Sequence, residues 1–234
     1  MASVIKGSKS EILCSISQDA LINYVIKQCN LFYPDENPVS YTDIESVISI
    51  TIDRLAHCFG KIVVPYFKLN GSTYFNHLHG DHYSMFLYIL SNSCYTHTND
   101  EATATKLFLL NKALFGIDAF YKIELPEVFL FVHPVGTVLG RGQYGNNFVV
   151  YQGVTVGATT DLVCACFGES TILYSNVSVI GNCKIGDNCV FGANTSIVNT
   201  DIESNKIIVG NYPAYRTLEN KNNLIGHYFL PSNF

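Results

Sequence analysis

The stretch VHPVGTVLGRGQYGNNFVVYQGVTVG, residues 132–157, carries an apolar residue at every sixth position, and so does ILYSNVSVIGNCKIGDNCVFGANTSIV, residues 172–198. A period of six fits neither a helix nor a simple strand. It fits a short strand followed by a tight turn, and three such units make one triangular coil of roughly 18 residues. The two stretches therefore predict a parallel β-helix, a prism of stacked coils. The positions expected to point inward are Val132, Val138, Tyr144, Val150 and Val156, and then Leu173, Val179, Ile185, Phe191 and Ile197.

The two registers do not join, because Val156 and Leu173 are 17 residues apart, which is not a multiple of six. One stretch within residues 158–168, ATTDLVCACFG, must therefore leave the prism. We expect a loop that projects from an edge. Loops on a rigid scaffold often carry substrate contacts.

Composition limits the classes of partner. The 234 residues are 48% hydrophobic and 13% aromatic, which allows a substantial core. The net charge is −5 and there is no basic run, so nucleic acids and anionic membranes are poor partners. The first twenty residues lack the continuous apolar segment of a signal peptide, and no apolar run reaches the length of a membrane span. We therefore expect a cytoplasmic protein without nucleic-acid or membrane partners.

The eight cysteines show no Cys-x-x-Cys pair. In a reducing compartment most of them are expected to be small buried apolar residues. Cys183 and Cys189 fall on the repeat and need no chemical role. Cys164 and Cys166 lie in the predicted loop, where either an incidental or a functional role is open.

Residues 1 to about 120 lack the period of six and read as a helical domain. Thr42, with Glu45 three residues later, matches a capping box before an apolar run. The sequence thus predicts a helical domain over 1–120, a β-helix domain over 121–215 and a C-terminal tail over 216–234. One more strand is expected at residues 206–209, and the tail beyond is expected to be irregular.

Three features resemble a known family, the hexapeptide acyltransferases, and within it the serine acetyltransferases. The first feature is a helical half before a β-helix. The second is a pair of segments that look like the catalytic coil and the coil above it, HPVGTVLG (133–140) and YQGVTVG (151–157). The third is VGNYPA (209–214), which is similar to the turn that closes the prism. The resemblance implies an α+β fold with segregated parts: an all-helical N-terminal domain, then a left-handed parallel β-helix with one projecting loop. It also implies acetyl-CoA as co-substrate, no metal, and a homotrimer, with a dimer of trimers as an option.

In that family a histidine accepts the proton of the acceptor hydroxyl, and an aspartate fifteen residues upstream orients it. His133 and Asp118 have this interval. The chemistry stands without the likeness, because imidazole can accept and return a proton near pH 7 and a carboxylate fixes its tautomer. A backbone N–H near Gly153 or Gly157 could receive the oxyanion. The alternative is that both residues have only structural roles, with His133 capping a turn and Asp118 beginning a strand.

The resemblance also implies contacts to coenzyme A and to the acceptor. Small residues are needed where the pantetheine arm lies against backbone. The coenzyme A contacts expected from it are Gly157, Thr159, Ala193, Gly210 and Ala214, and the acceptor contacts are Asp81 and Cys164.

Two departures from the family pattern concern the acceptor. Val132 stands where serine acetyltransferases have an aspartate, and Val163 and Cys164 stand where they have an Arg-His pair. The acceptor is therefore expected to be a small molecule with a hydroxyl group, L-serine or a related compound. Two alternatives remain: O-acetylation of a sugar in surface polysaccharide synthesis, and a non-enzymatic β-helix scaffold.

Other motifs in the sequence give weaker indications of function. GRGQYG (140–145) matches GxGxxG but lies inside the repeat, not between a strand and a helix, so it is not a dinucleotide site. A γ-class carbonic anhydrase needs three histidines from β-helices, and the repeat holds only His133. His77, His79 and His82 cluster by spacing, and a metal site there is less plausible than a substrate contact or a polar loop.

Overall fold

The structure, a computed structural model, describes residues 2–160, 162–222 and 224–231. The chain divides into two compact units, one ending at Leu114 and the other beginning at Phe115.

The N-terminal unit contains the predicted helices: α1 (Gln18–Phe32), α2 (Tyr41–Lys61), α3 (Gly80–Ser93) and α4 (Glu101–Phe115). A π-helical turn, Cys94–Thr98, follows α3. Every residue of α3 from Asp81 to Ser93 is buried, so this helix forms the centre of the unit.

The N-cap of α2 is Ser40, so the prediction of Thr42 was wrong. Asp43 N donates to Ser40 Oγ at 3.3 Å, and Ser40 N donates to Asp43 Oδ2 at 2.8 Å. Ser40 and Asp43 form the same capping box two residues earlier, because aspartate at the third helical position can replace the glutamate that the motif expects.

The N-terminal unit also contains a four-stranded sheet, and the prediction of an all-helical domain was wrong in this respect. The strands are β1 (Ser3–Lys6), β2 (Glu11–Cys14), β3 (Lys68–Leu69) and β4 (Ser72–Phe75), in the order β1-β2-β4-β3. Each has two to four residues, too few to show a period of two in the sequence.

The C-terminal unit is a parallel β-solenoid with three faces, as predicted. Face 1 consists of β5 (Asp118–Ala119), β7 (Val138–Leu139), β10 (Thr155–Gly157), β13 (Ser178–Ile180) and β16 (Ser196–Val198). Face 2 consists of β8 (Gly142–Tyr144), β11 (Ala165–Phe167) and β14 (Lys184–Ile185). Face 3 consists of β6 (Phe129–Phe131), β9 (Phe148–Val150), β12 (Ile172–Leu173), β15 (Val190–Phe191) and β17 (Lys206–Val209).

The second predicted register is confirmed, since all five of its apolar residues are buried. The first register is wrong at Val138, which is 41% exposed, while Leu139 is 1% exposed and lines the interior. The pairs Phe131↔Val150 and Val138↔Thr155 explain the shift. The corner between β6 and β7 is two residues longer than the corner between β9 and β10.

The projecting loop is shorter than predicted. Ala165–Phe167 is a strand of face 2, and Ala165 is fully buried, so the loop ends at Cys164 and does not extend to Gly168. Val156 pairs with Val179, a step of 23 residues, whereas Val179 pairs with Ile197, a step of 18. The loop therefore adds five residues to one coil, and the rest of the predicted segment stays in the prism because its apolar side chains fill the core.

The C-terminal tail is more ordered than the sequence predicts. The expected strand at residues 206–209 is present, and β18 (Arg216–Glu219) pairs with it antiparallel, a strand that the expectation of an irregular tail missed. Further on, Tyr228 Oη lies 2.8 Å from Tyr151 Oη and donates to Tyr174 Oη at 3.2 Å. These contacts hold the tail against two coils of the prism.

Candidate active site

The corners of successive coils stack into three edges, and His133 lies on the first of them. The His133 edge, between faces 3 and 1, consists of residues 133–136, 152–153, 175–176, 193–194 and Asn211. The loop edge, between faces 1 and 2, carries residues 158–160 and 162–164 of the loop, Gly181 and Asn199. The asparagine edge, between faces 2 and 3, consists of Asn147, Ser170, Asn188 and Asn205.

His133 is an exposed residue at the corner that is two residues longer than its counterparts. Its φ is 47°, a left-handed conformation that is uncommon for residues other than glycine. Val135 N donates to His133 O at 2.7 Å, and Thr137 N donates to Pro134 O at 3.1 Å, so the corner is closed by its own backbone. A tight turn thus holds the imidazole at the surface of the prism.

Asp118 lies one coil away, beside the same corner. Asp118 N donates to Thr137 O at 2.8 Å, and Gly136 N donates to Gly116 O at 3.0 Å. Asp118 is half-buried and pairs with Val138 in face 1. The backbone therefore places the predicted carboxylate next to the coil that carries the predicted base.

Asp118 also starts a column of side chains on the outer surface of face 1. Ala119, Leu139, Val156, Val179 and Ile197 pair with one another and are nearly fully buried, so they point inward. Side chains alternate along a strand, so their preceding neighbours point outward. This outer column consists of Asp118, Val138, Thr155, Ser178 and Ser196. The sequence analysis did not identify this column. Its members could have been found as the residues that directly precede the inward-pointing residues.

The predicted closing turn lies at the end of this column. Ser196 N donates to Gly210 O at 3.2 Å, and Tyr212 N donates to Ser196 O at 2.8 Å. Gly210 has a φ of +95°, which favours glycine. Ala214 follows in the same turn, where Ala214 N donates to Asn211 O at 2.8 Å, and Ala193 is exposed on the His133 edge. Three of the five expected coenzyme A residues thus share an edge with His133.

The other two, Gly157 and Thr159, lie on the loop edge. A Cβ added to Gly157 would lie 3.2 Å from Ile180 Cδ1, so little space is left there for a larger residue. Thr159 borders an open cavity of about 450 Å³ together with Val163, Asn182, Asn199 and Asp201. The structure therefore divides the predicted residues between the two edges that border face 1.

The two predicted acceptor contacts belong to different units, Cys164 to the C-terminal unit and Asp81 to the N-terminal unit. Cys164 is half-buried at the end of the loop, and its Sγ donates to Leu162 O at 3.4 Å. Asp81 belongs to the N-terminal unit, where it is 2% exposed and its Oδ2 accepts a hydrogen bond from Tyr66 Oη at 3.1 Å.

One of the two oxyanion donors considered is already engaged. Gly153 N donates to Val135 O at 3.0 Å, so this N–H closes the His133 edge and is not open to a ligand. Gly157 lies in β10 and pairs with Ile180 of β13, so its N–H faces the neighbouring strand of the sheet as well.

Two of the three clustered histidines, His79 and His82, lie together with 4.5 Å between their ring centroids, whereas His77 packs edge-on against Tyr24. His82 is fully buried in α3, and burial lowers its pKa to about 3, with the neighbouring His79 as the second cause. His77 Nδ1 lies 2.7 Å from Ser15 Oγ. Within the described ranges, no three His, Cys, Asp or Glu side chains converge on a point where a metal ion would fit. His82 was not predicted to be a core residue.

Comparison with known proteins finds similarity over part of the chain. Residues 167–199 match the model "Bacterial transferase hexapeptide (six repeats)". Serine acetyltransferase 2 from Arabidopsis thaliana is 32% identical over 102 residues, which is 42% of this chain and 31% of that protein. The chain is thus similar over part of its length to hexapeptide-repeat transferases and to serine acetyltransferases. It spans less than half the length of the curated relatives that it matches.

Solved structures of serine acetyltransferases share the fold of this chain. A serine acetyltransferase in complex with CoA superposes with a TM-score of 0.63 at 17% identity, over 83% of this chain and 82% of that one. The Neisseria gonorrhoeae enzyme in complex with serine gives 0.65 at 18% identity, over 87% and 84%. At this identity the likeness concerns the fold.

None of the described helices combines the length and apolar character needed to span a membrane.

Proposed function

We propose that the chain is an acetyl-CoA-dependent O-acetyltransferase of serine acetyltransferase type, acting on the hydroxyl of L-serine or a related small molecule. The observation that carries the proposal is His133, an exposed imidazole at an extended corner with Asp118 on the neighbouring strand. The serine acetyltransferases that resemble the chain in sequence and fold support it.

His133 is proposed as the general base. Acetyl-CoA, when bound, supplies an acetyl thioester. His133 accepts the proton of the acceptor hydroxyl as its oxygen attacks the carbonyl, and then returns that proton to the departing thiolate. Proton transfer by a positioned side chain typically contributes about 10²–10⁴-fold to the rate.

Asp118 is proposed as the positioning residue of His133. A carboxylate that accepts from one imidazole nitrogen fixes the tautomer and stabilises the imidazolium that forms. The placement of β5 beside β7, with Asp118 in the outer column, supports this role.

The proposed coenzyme A site follows the outer surface of face 1. Neighbouring strands lie about 4.8 Å apart, so the outer column from Asp118 to Ser196 covers roughly 19 Å along the prism. Ala193, Gly210 and Ala214 border it on the His133 edge, and Gly157 and Thr159 on the loop edge. Small side chains and hydroxyls along this path leave room for an extended chain against the backbone.

A homotrimer is proposed as the assembly, and a pair of trimers as a further option. Val135 and Val138, beside His133, are 65% and 41% exposed. Such apolar side chains favour being covered, either by a neighbouring copy or by a substrate.

O-acetylation of a sugar is the second candidate function. Val132 is 7% exposed and contributes no charge beside His133, and the exposed side chains of that corner, Val135 and Val138, are apolar. A charged amino acid finds no partner in these three residues, whereas the C–H face of a sugar ring could lie against them.

The test is release of free thiol from acetyl-CoA in the presence of L-serine, homoserine and a panel of sugars. Turnover with serine supports the first proposal, and turnover with sugars alone supports the second. No thiol release above the acetyl-CoA hydrolysis background with any acceptor would contradict both and favour a scaffold.

A further inference from the structure

The asparagine edge and the C-terminal tail border a second cavity of about 680 Å³ in the C-terminal unit. It lies on a different edge from His133, so the proposed reaction does not use it. Its lining is partly polar and partly apolar. The neutral polar residues are Asn147, Ser170, Asn188, Asn205, Asn220 and Asn222, and the apolar residues are Ile225, Phe229, Leu230 and Pro231.

Asn220 gives this cavity an unmet hydrogen-bonding requirement. It is 6% exposed, and its Nδ2 donates to Asn188 O at 3.0 Å and to Asn188 Oδ1 at 3.1 Å. Its Oδ1 is buried and accepts no hydrogen bond from any residue in 2–160, 162–222 or 224–231. Leaving a buried acceptor unpaired is costly, so a ligand that brings a donor to Asn220 Oδ1 gains more than an ordinary hydrogen bond.

The charges around the cavity are few and mixed. Glu169 and Asp187 are acidic and Lys221 is basic, and all three are exposed. Asp187 Oδ1 already accepts from Glu169 N at 2.8 Å. Most of the polar groups are therefore neutral amides and a hydroxyl, which suit neither a polyanion nor a polycation.

The volume and the mixed lining of the cavity define the ligand class. About 680 Å³ lies within the usual size of small-molecule sites and far exceeds the space of a single ion. A ligand that fits must present hydroxyl donors to the amides and apolar C–H groups to the exposed Leu230. Sugar rings have both kinds of surface.

We propose that this cavity binds a neutral saccharide of a few sugar units, with a ligand hydroxyl donating to Asn220 Oδ1. Leu230 contacts the C–H face of a ring, and the amides of the asparagine edge contact its hydroxyls. The site is independent of acetyl transfer at His133.

Isothermal titration calorimetry on the full chain tests the proposal, with glucose, N-acetylglucosamine, maltose and lactose as probes and glycerol as a control. We expect at least one of the sugars to bind. Leu230→Glu should weaken that binding about tenfold or more, because a charged side chain replaces the apolar contact at the cavity. Leu218→Glu is the matched control, since Leu218 is a similarly exposed leucine on β18 that does not line the cavity.

Asn205→Asp is a second variant that preserves the fold. The carboxylate can still accept from Asn188 Nδ2, now 2.9 Å from Asn205 Oδ1, and aspartate tolerates the φ of 62°. It removes an amide donor and should also weaken binding. His133→Ala should bind the sugar as the wild type does, which separates this cavity from an acceptor site. Absence of binding by every sugar, or equal weakening by Leu230→Glu and Leu218→Glu, would overturn the proposal.

Discussion

Asp53→Asn should destabilise the N-terminal unit, because the Asp53 carboxylate holds the turn between β1 and β2. Its Oδ1 accepts from Ser10 N at 2.8 Å and Ser10 Oγ at 2.7 Å, and its Oδ2 accepts from Ser8 N at 3.0 Å and Ser8 Oγ at 2.6 Å. Lys9 N donates to both oxygens, at 3.0 and 3.2 Å. An asparagine would place an NH₂ group against donors on one side of this turn.

The pKa of Asp53 gives the size of its contribution to the free energy of unfolding. Partial burial raises this pKa, but the hydrogen bonds from the hydroxyls of Ser8 and Ser10 and from the backbone N–H groups outweigh it and lower the pKa from 3.8 to about 2. That lowering corresponds to about 2 kcal/mol. Solvent screening at a half-buried carboxylate reduces the contribution to about 1 kcal/mol.

The stabilisation by the Asp53 carboxylate decreases as the pH falls. The pKa is lower in the folded chain, so the stabilisation is fully present above about pH 4 and is lost as the pH falls toward 2. At pH 3 about half of it should remain.

Urea unfolding followed by circular dichroism, at pH 7 and pH 3, measures this contribution. We expect Asp53→Asn to lose about 1–2 kcal/mol at pH 7, and the difference from wild type to narrow at pH 3. Glu36→Gln, at an exposed acidic residue of the same unit, is the control and should change little. A difference that is the same at both pH values would refute the role of the ionised carboxylate.

Three further changes test the prism and the site. Phe191→Ala, at a fully buried position of face 3, should cost about 3–5 kcal/mol in chemical denaturation, and a loss below about 1 kcal/mol would contradict its place in the core. Gly153→Ala should destabilise the His133 edge by about 1–3 kcal/mol, because φ is +69° there and the new Cβ would meet Asn176 Oδ1; an unchanged melting temperature would be the contrary result. Asp118→Asn should lower kcat by about 10²-fold or more with little change in KM, as measured by thiol release, and a change in KM alone would assign Asp118 to binding.

The second hexapeptide register could be predicted from the sequence because every coil there needs a buried apolar residue at each sixth position. Leu173, Val179 and Ile185 occupy equivalent inward positions in coils of regular length. The first register was harder to read because the His133 corner has two extra residues: the inward positions before and after it are Phe131 and Leu139, eight residues apart, whereas the equivalent Val150 and Val156 are six apart. The period of six does not reveal such an insertion, although its location at the proposed base is itself informative.

Other features depend on contacts between distant residues. The sheet β1-β2-β4-β3 joins segments about 60 residues apart, and each of its strands is too short for a periodic signal. The position of His82 in the core depends on the rings around it, such as Phe59 and Phe67, whose centroids lie 5.1 and 4.1 Å from its own. The end of the loop at Cys164 follows from the burial of Ala165 and Phe167 in face 2. No local pattern encodes these contacts.

The interval between Asp118 and His133 was predicted from the sequence, and the structure adds where the two residues lie. β5 and β7 are neighbours in face 1, so Asp118 belongs to the coil beside the His133 corner. The column that links this corner to the closing turn at Gly210 emerged only when the strands were aligned.

The rate of thiol release by His133→Ala is the most direct test of the proposed general base. His97→Ala, at an exposed histidine of the N-terminal unit, is the matched control. We expect His133→Ala to keep the circular dichroism spectrum of the wild type and to lose about 10²-fold or more in kcat with the acceptor that the wild type uses, while His97→Ala keeps full activity. A folded His133→Ala variant that turns over acetyl-CoA at the wild-type rate would contradict the proposed chemistry.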